Sequence, residues 1–175
     1  MGEPLTIDCL DGPGAAASVP VLAELLVDCV RAGASVGYLW PLAHDRAQAF
    51  WMRVAEGVER GERALLVARD ADGAIVGTVQ LVLAMPDNQP HRADVAKMLV
   101  HTRARRRGVA RRLLAAVDDT ARRAGKSVLV LDTVTGSVAE RLYERIGWTR
   151  VGEVPKYALM PDGAWCATTF FYRHL

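Results

Sequence analysis

The chain has 175 residues, 51% of them hydrophobic, and its 22 Lys and Arg against 20 Asp and Glu leave a formal charge of only +2. One domain with a sizeable core is the natural expectation, and a generally basic surface of the nucleic-acid-binding kind is excluded. Cys9, Cys29 and Cys166 are far apart and lack C-x-x-C spacing, which argues against a disulfide framework and against a zinc site.

Residues 5–9 read as a first strand, and residues 11–17 (DGPGAAA) read as loosely structured. From Val19 to Val30 apolar residues recur at helical spacing, with Pro20 acceptable in the first turn. The glycine-punctuated stretch GASVGYLW (33–40) follows, then a helix from about Asp45 to Arg60. Residues 64–69 and 74–84 are rich in β-formers and are separated by Asp72-Gly73, a hairpin signal. A fourth strand over 93–100 leads into RARRRGVARR (103–112), and Val109, Leu113, Leu114, Val117 and Ala121 mark an amphipathic helix ending near Gly125.

Residues 127–132 form a buried, parallel-type strand. Ser137-Val138-Ala139-Glu140 is a capping box opening a helix that Gly147 stops. Strands around 149–154 and 165–173 flank a turn at Pro161-Asp162-Gly163. The order predicts an α+β fold: a mixed, mostly antiparallel sheet of about seven strands flanked by about four helices. The N-terminus lacks a signal-peptide pattern, and no apolar run approaches the length of a membrane span, so a cytoplasmic protein with no membrane partner is expected.

Six arginines in the ten positions 103–112 sit where a helix begins, at the positive end of its dipole. A nucleic-acid patch would need interleaved aromatics, and none is present. A solvated helix face leaves the conflict with the dipole unexplained. A strand, a Gly-containing turn and a helix N-terminus together make an anion site, where backbone N–H groups converge and arginines add charge. The expected guest is a diphosphate.

Arg105-Arg106-Arg107-Gly108-Val109-Ala110 resembles the R/Q-x-x-G-x-G/A signature of the GNAT superfamily of N-acetyltransferases. Residues 132–148 resemble that superfamily's second motif, N-x-x-A-x-x-x-Y-x-x-x-G-F, and residues 92–175 are most similar to its tabtoxin-resistance type. Gly136 stands where the motif has Asn, so an Asn contact is not carried over, although Ser137 can replace it.

The resemblance implies the GNAT fold and acetyl-CoA as donor, with no metal. Met98, Leu99 and Val100 would pair with the pantetheine arm. Arg105, Arg106, Arg107, Gly108, Val109, Ala110 and Arg111 would hold the diphosphate, with Ser137 nearby. Tyr143 matches the motif tyrosine and would protonate the leaving thiolate. A core tyrosine would also be ordinary on the face that Ala139, Leu142 and Ile146 share with it. Two carboxylates are candidates for the base that deprotonates the acceptor: Asp94 on the fourth strand and Asp132 at the end of the strand 127–131. Asp132 is favoured because the tabtoxin-resistance likeness covers it, and a water chain is the third option.

The partner implied is a small-molecule amine, attacking directly in a ternary complex, with homodimerisation left open. Tyr38 and Trp40 in GASVGYLW, and Tyr157 in VPKYALMPDG, would line its site, giving aromatic and weakly charged walls. A protein or peptide N-acetyltransferase and a non-catalytic CoA-binding module are the alternatives.

Overall fold

A computed structural model describes residues 5–175. Strands β1 (Thr6–Leu10), β2 (Arg63–Arg69), β3 (Ile75–Val82), β4 (Arg92–Val100), β5 (Val128–Val134), β6 (Thr149–Leu159) and β7 (Trp165–His174) form one sheet. Its order is β1-β2-β3-β4-β5-β7-β6. Only β4 and β5 run parallel, and every other neighbouring pair is antiparallel. The α+β class and the seven-stranded, mostly antiparallel sheet are as the sequence predicts.

Five helices flank the sheet rather than about four: α1 (Gly12–Ala17), α2 (Val19–Arg31), α3 (His44–Glu59), α4 (Val109–Arg123) and α5 (Val138–Arg145). The additional one is α1, which corrects the reading of 11–17 as loosely structured. Asp11 caps it by accepting from the Gly14 N–H at 2.8 Å, Pro13 lies in the first turn, and Ala15 to Ala17 are strong helix formers. β6 also runs to Leu159 instead of stopping near 154, with a break in register between Val154 and Ala158 and a left-handed Lys156 (φ 51°).

Alternation along the strands divides the core into two layers. Leu66, Val76, Val79, Ala93, Val95, Leu129 and Phe171 pack with α4 and α5 on one face. Leu65, Val67, Ile75 and Leu99 pack with α1, α2 and α3 on the other. The helix α4 approaches the sheet closely at Gly77, where a Cβ would lie 2.8 Å from Val109 Cγ1 and 3.1 Å from the Leu99 carbonyl oxygen. That glycine lets the arginine-rich helix start seat directly on β3.

Candidate active site

The parallel pairing of β4 with β5 is short: Arg92, Ala93 and Asp94 face Val128, Leu129 and Val130, and no partners follow. β5 stays with β7 as far as Val134, while β4 stays with β3 as far as Val100. The two central strands therefore part beyond Asp94 and leave a gap in the middle of the sheet. Met98, Leu99 and Val100 lie on one bank and Asp132 on the other.

A bulge in β4 shapes the first bank. Thr78 faces Leu99 and Gln80 faces Ala96, so Lys97 and Met98 together oppose Val79. Lys97 takes a left-handed φ of 51°, which is costly for a residue with a side chain. The bulge reverses the alternation. Ala93 and Val95 face α4, and without the bulge Lys97 and Leu99 would follow them into that core. Instead Met98 and Val100 pack there, Leu99 joins the opposite layer, and the Lys97 ammonium lies 5.5 Å from the centre of the Phe50 ring on α3.

At the far end of β4 the chain makes a 3-10 turn (Thr102–Ala104) and enters the arginine run. Asp28, buried at the end of α2, anchors this turn. It accepts from the Thr102 N–H at 2.9 Å and the Thr102 hydroxyl at 3.0 Å, with His101 Nδ1 at 3.4 Å and Arg31 at 3.5 Å. Burial works to raise the Asp28 pKa. The Thr102 hydrogen bonds and the neighbouring His101 and Arg31 outweigh it, and the carboxyl is held below its usual range.

The six arginines then divide. Arg103 pairs with Asp70 at 3.3 Å, Arg105 donates to the Val100 carbonyl at 3.4 Å, and Arg112 donates to the Leu5 carbonyl at 2.8 Å. Arg106 and Arg111 are exposed and form no ion pair among the described residues. Arg106 (φ 62°) and Gly108 (φ 79°) are both left-handed, a geometry that turns successive N–H groups into a concavity. Gly108 opens α4 with no side-chain cap, and the first helical bond runs from the Arg112 N–H to the Gly108 carbonyl at 3.1 Å. The N–H groups of Val109, Ala110 and Arg111 precede that bond and point outward. The local geometry fits an anion such as a diphosphate.

Tyr143 lies in the core on the α5 side of the sheet. It is 4% exposed and packs between Trp148 (ring centres 5.8 Å apart) and Phe171 (6.0 Å). Burial, reinforced by the Asp132 carboxylate, pushes its hydroxyl well above the ordinary tyrosine range, so it is protonated at neutral pH. Asp132 stands on the other face of β5, exposed at its edge. Partial desolvation raises its carboxyl and the Asp94 charge adds to this, while the Lys97 ammonium works in the opposite direction. Desolvation lowers Lys97 in turn, partly offset by Asp132. Asp94 is bound to Arg92 and sits at the closed end of the gap, where the strands still pair.

Ser137 caps α5: its Oγ accepts from the Glu140 N–H at 3.0 Å. The Glu140 carboxylate returns to the Gly136 N–H and accepts from the Thr169 hydroxyl at 2.7 Å. The Ser137 half of the predicted capping box is present, while the Glu140 half falls one residue earlier, on the Gly136 N–H, because the Ser137 N–H donates to the Val134 carbonyl at 3.2 Å. Burial pushes the Cys29 thiol up to about 11, which keeps it out of nucleophilic chemistry at neutral pH.

The three aromatic residues expected around the acceptor separate. Tyr38 lines a cavity of about 440 Å³ with Val36, Gly37, Phe50 and Lys97. Trp40 lines a different, smaller one of about 220 Å³ beside Met160 and Asp162. Tyr157 is 51% exposed on β6, stacked edge-on against Phe170 at 5.5 Å, and lines neither. The larger cavity also corrects the expectation of weakly charged walls, because Arg46, Arg53 and Lys97 all line it.

The acetyltransferase (GNAT) family model matches residues 21–148. This chain belongs to the GNAT family. A curated relative of this GNAT protein, an uncharacterized N-acetyltransferase from the hisH-hisA intergenic region of Azospirillum brasilense, is 38% identical over 113 residues. That alignment spans 63% of this chain and 65% of the relative's length. Among solved structures, a GCN5-related N-acetyltransferase from Kribbella flavida is 26% identical with a TM-score of 0.79, covering 98% of each chain. A putative acetyltransferase from Salmonella typhimurium, solved with its cofactor acetyl-CoA, is 22% identical with a TM-score of 0.77. It covers 98% of this chain and 94% of that one, and it shares the fold.

Sequence reasoning missed Arg46, Arg53 and Lys97 in the GNAT chain. Arg46, Ala49, Phe50 and Arg53 recur at i, i+3, i+4 and i+7, one stripe of α3 opposite the buried Ala47, Trp51 and Val54. That stripe was available in the sequence as a cationic face. Lys97 joins it only through the bulge, which no local pattern announces. Among the described residues no group of His, Cys, Asp and Glu could hold a metal ion, and no helix is long and apolar enough to cross a membrane.

Proposed function

We propose that this protein transfers the acetyl group of acetyl-CoA to a primary amine of a small molecule, by direct attack in a ternary complex. The observation that carries the reading is the continuity of the gap with the anion site. The β4 bank leads through the 3-10 turn to the uncapped start of α4, Asp132 stands on the β5 bank, and Tyr143 lies on the α5 side of the sheet within electrostatic reach of Asp132. Acetyl-CoA supplies the thioester, and its donor role is supported by the family.

The chain's own groups divide the remaining work. The outward N–H groups of Val109, Ala110 and Arg111, with Arg106 and Arg111, hold the diphosphate, while Arg105, Arg107 and Ser137 border it. Met98, Leu99 and Val100 offer backbone groups to the pantetheine arm, and an N–H among them can polarise the thioester carbonyl. Asp132 takes a proton from the acceptor ammonium, and the freed amine forms the new C–N bond as the C–S bond breaks. The departing thiolate takes a proton from Tyr143. A raised carboxyl pKa makes Asp132 a stronger base than an ordinary aspartate, and Asp94, engaged by Arg92, is the less suitable of the two. The tabtoxin-resistance likeness of residues 92–175 supports a small acceptor over a protein one.

Gly108→Glu tests the donor site. It places a carboxylate where the diphosphate would meet the helix start, and like-charge contact costs several kcal/mol. CoA binding measured by calorimetry should weaken by about a hundredfold. Unchanged affinity in a folded variant removes the reading of the α4 terminus as the diphosphate site.

A further inference from the structure

We infer that the acceptor carries an anionic group, a carboxylate or a tetrahedral oxyanion, held in the cavity between α3 and the 33–40 loop by Arg46 and Arg53, with Lys97 on the side nearest Asp132. The inference rests on the acetyl-transfer reading and names the class of amine.

Three cations and no carboxylate line this cavity. Arg46 and Arg53 are two turns apart on the exposed stripe of α3, and neither forms an ion pair among the described residues. Outside this cavity and the start of α4, Arg60 is paired with Glu62, Arg69 with Asp8, Arg92 with Asp94, and Arg173 with Asp118. Leaving two guanidinium groups and an ammonium together is unfavourable for the empty fold, because like charges repel in a partly desolvated site. The arrangement makes sense when a guest brings the missing negative charge.

The walls support this. Arg46 Cζ lies 5.6 Å above the centre of the Tyr38 ring, and Tyr38 and Phe50 meet edge-on at 6.1 Å. The stacked guanidinium is thus held with its N–H edge available for a bidentate acceptor. Gly37, left-handed at φ 92°, brings the loop to Lys97, since a Cβ there would lie 3.7 Å from Nζ. Lys97, one wall of the cavity, lies within electrostatic reach of Asp132. An amine whose negative group sits on α3 would present its nitrogen toward Asp132 and the β4–β5 gap. About 440 Å³ accommodates an amino-acid-sized molecule.

The test uses matched probes: the L-amino acids, their carboxamides and the corresponding decarboxylated amines, titrated by calorimetry into the CoA-saturated protein. At least one acid should bind tenfold or more tightly than its amide and its decarboxylated partner, the size expected for losing a charge-assisted hydrogen bond. The double variant Arg46→Gln, Arg53→Gln should abolish that preference and leave CoA affinity unchanged. Equal binding of acids and amides, a preference that survives in the double variant, or no binding of any acid overturns the inference. CoA binding with thiol release on uncharged amines alone leaves acetyl transfer standing and removes the anionic acceptor. Failure of CoA to bind removes acetyl transfer, and the acid preference is then read on the free protein.

Discussion

The proposed donor and acceptor sides of the site are built in different ways. The donor side, from Met98 through the start of α4, is continuous in sequence, and it is anchored by Asp28 at Thr102, by Asp70 at Arg103 and by Gly77 beneath Val109. The acceptor side draws Tyr38, Arg46, Arg53 and Lys97 from a loop, a helix and a bulge, and none is bonded to another. A site that recognises one invariant guest can be written as a continuous motif. A site that distinguishes among guests is assembled from separated positions, each of which can change alone.

Substitutions can sharpen that contrast. The largest effect is expected at Tyr143, the proposed proton donor. Tyr143→Phe removes only the hydroxyl from a buried ring, so packing and CoA affinity should hold while turnover falls by about 10²–10⁴-fold. Wild-type turnover in a chemistry-limited assay would return Tyr143 to the role of a core residue.

Asp132→Asn comes next. Turnover at neutral pH should drop by about a hundredfold, the low end of that range, since water can reach an exposed position. The loss should shrink as pH approaches the acceptor's own pKa, and an equal loss at every pH would make Asp132 a structural cap. Because the Asp132 pKa is raised, the basic form is lost as pH falls through a value above the ordinary carboxylate range. The acid limb of kcat/KM should lie there. Lys97 holds that pKa down, so Lys97→Met should move the limb to higher pH. A limb that stays in place would separate Lys97 from the base.

The smallest effect tests the donor side's rigidity. Gly77→Ala forces Val109 and Leu113 away from β3, and overpacking of this kind costs about 1–3 kcal/mol. The melting temperature should fall by about 3–10 °C, with chemistry at low temperature little changed. An unaltered melting curve would show that α4 is free to shift.

The same contrast explains what could be read in advance. The Asp72-Gly73 turn, the Ser137–Glu140 capping box and the 105–110 motif act over a few residues, so their structural meaning is local. α1 was missed because Gly and Pro in residues 11–17 obscured a good Asp11 cap. The full length of β6 was missed because a left-handed Lys156 and an exposed surface erase its alternation. Trp40 and Tyr157 were placed with Tyr38 because aromatic character carries no information about which cavity a loop residue will face. The cationic wall depended on a strand defect, and the sequence of β4 alone does not locate it.

The defect at Lys97 also determines which kinds of change β4 can absorb. An amino-acid exchange there alters one side chain and leaves its neighbours in place. Removing a residue between Ala96 and Leu99 would restore the simple two-residue rhythm without turning the chain downstream of it over, because two residues there share the single partner Val79. Leu99 would stay in the layer with α2 and α3 and Val100 against α4, and what the shorter strand would lose is the left-handed position that sets the Lys97 ammonium beside Phe50. The extra residue therefore serves the position of Lys97 and not the packing of the strand beyond it.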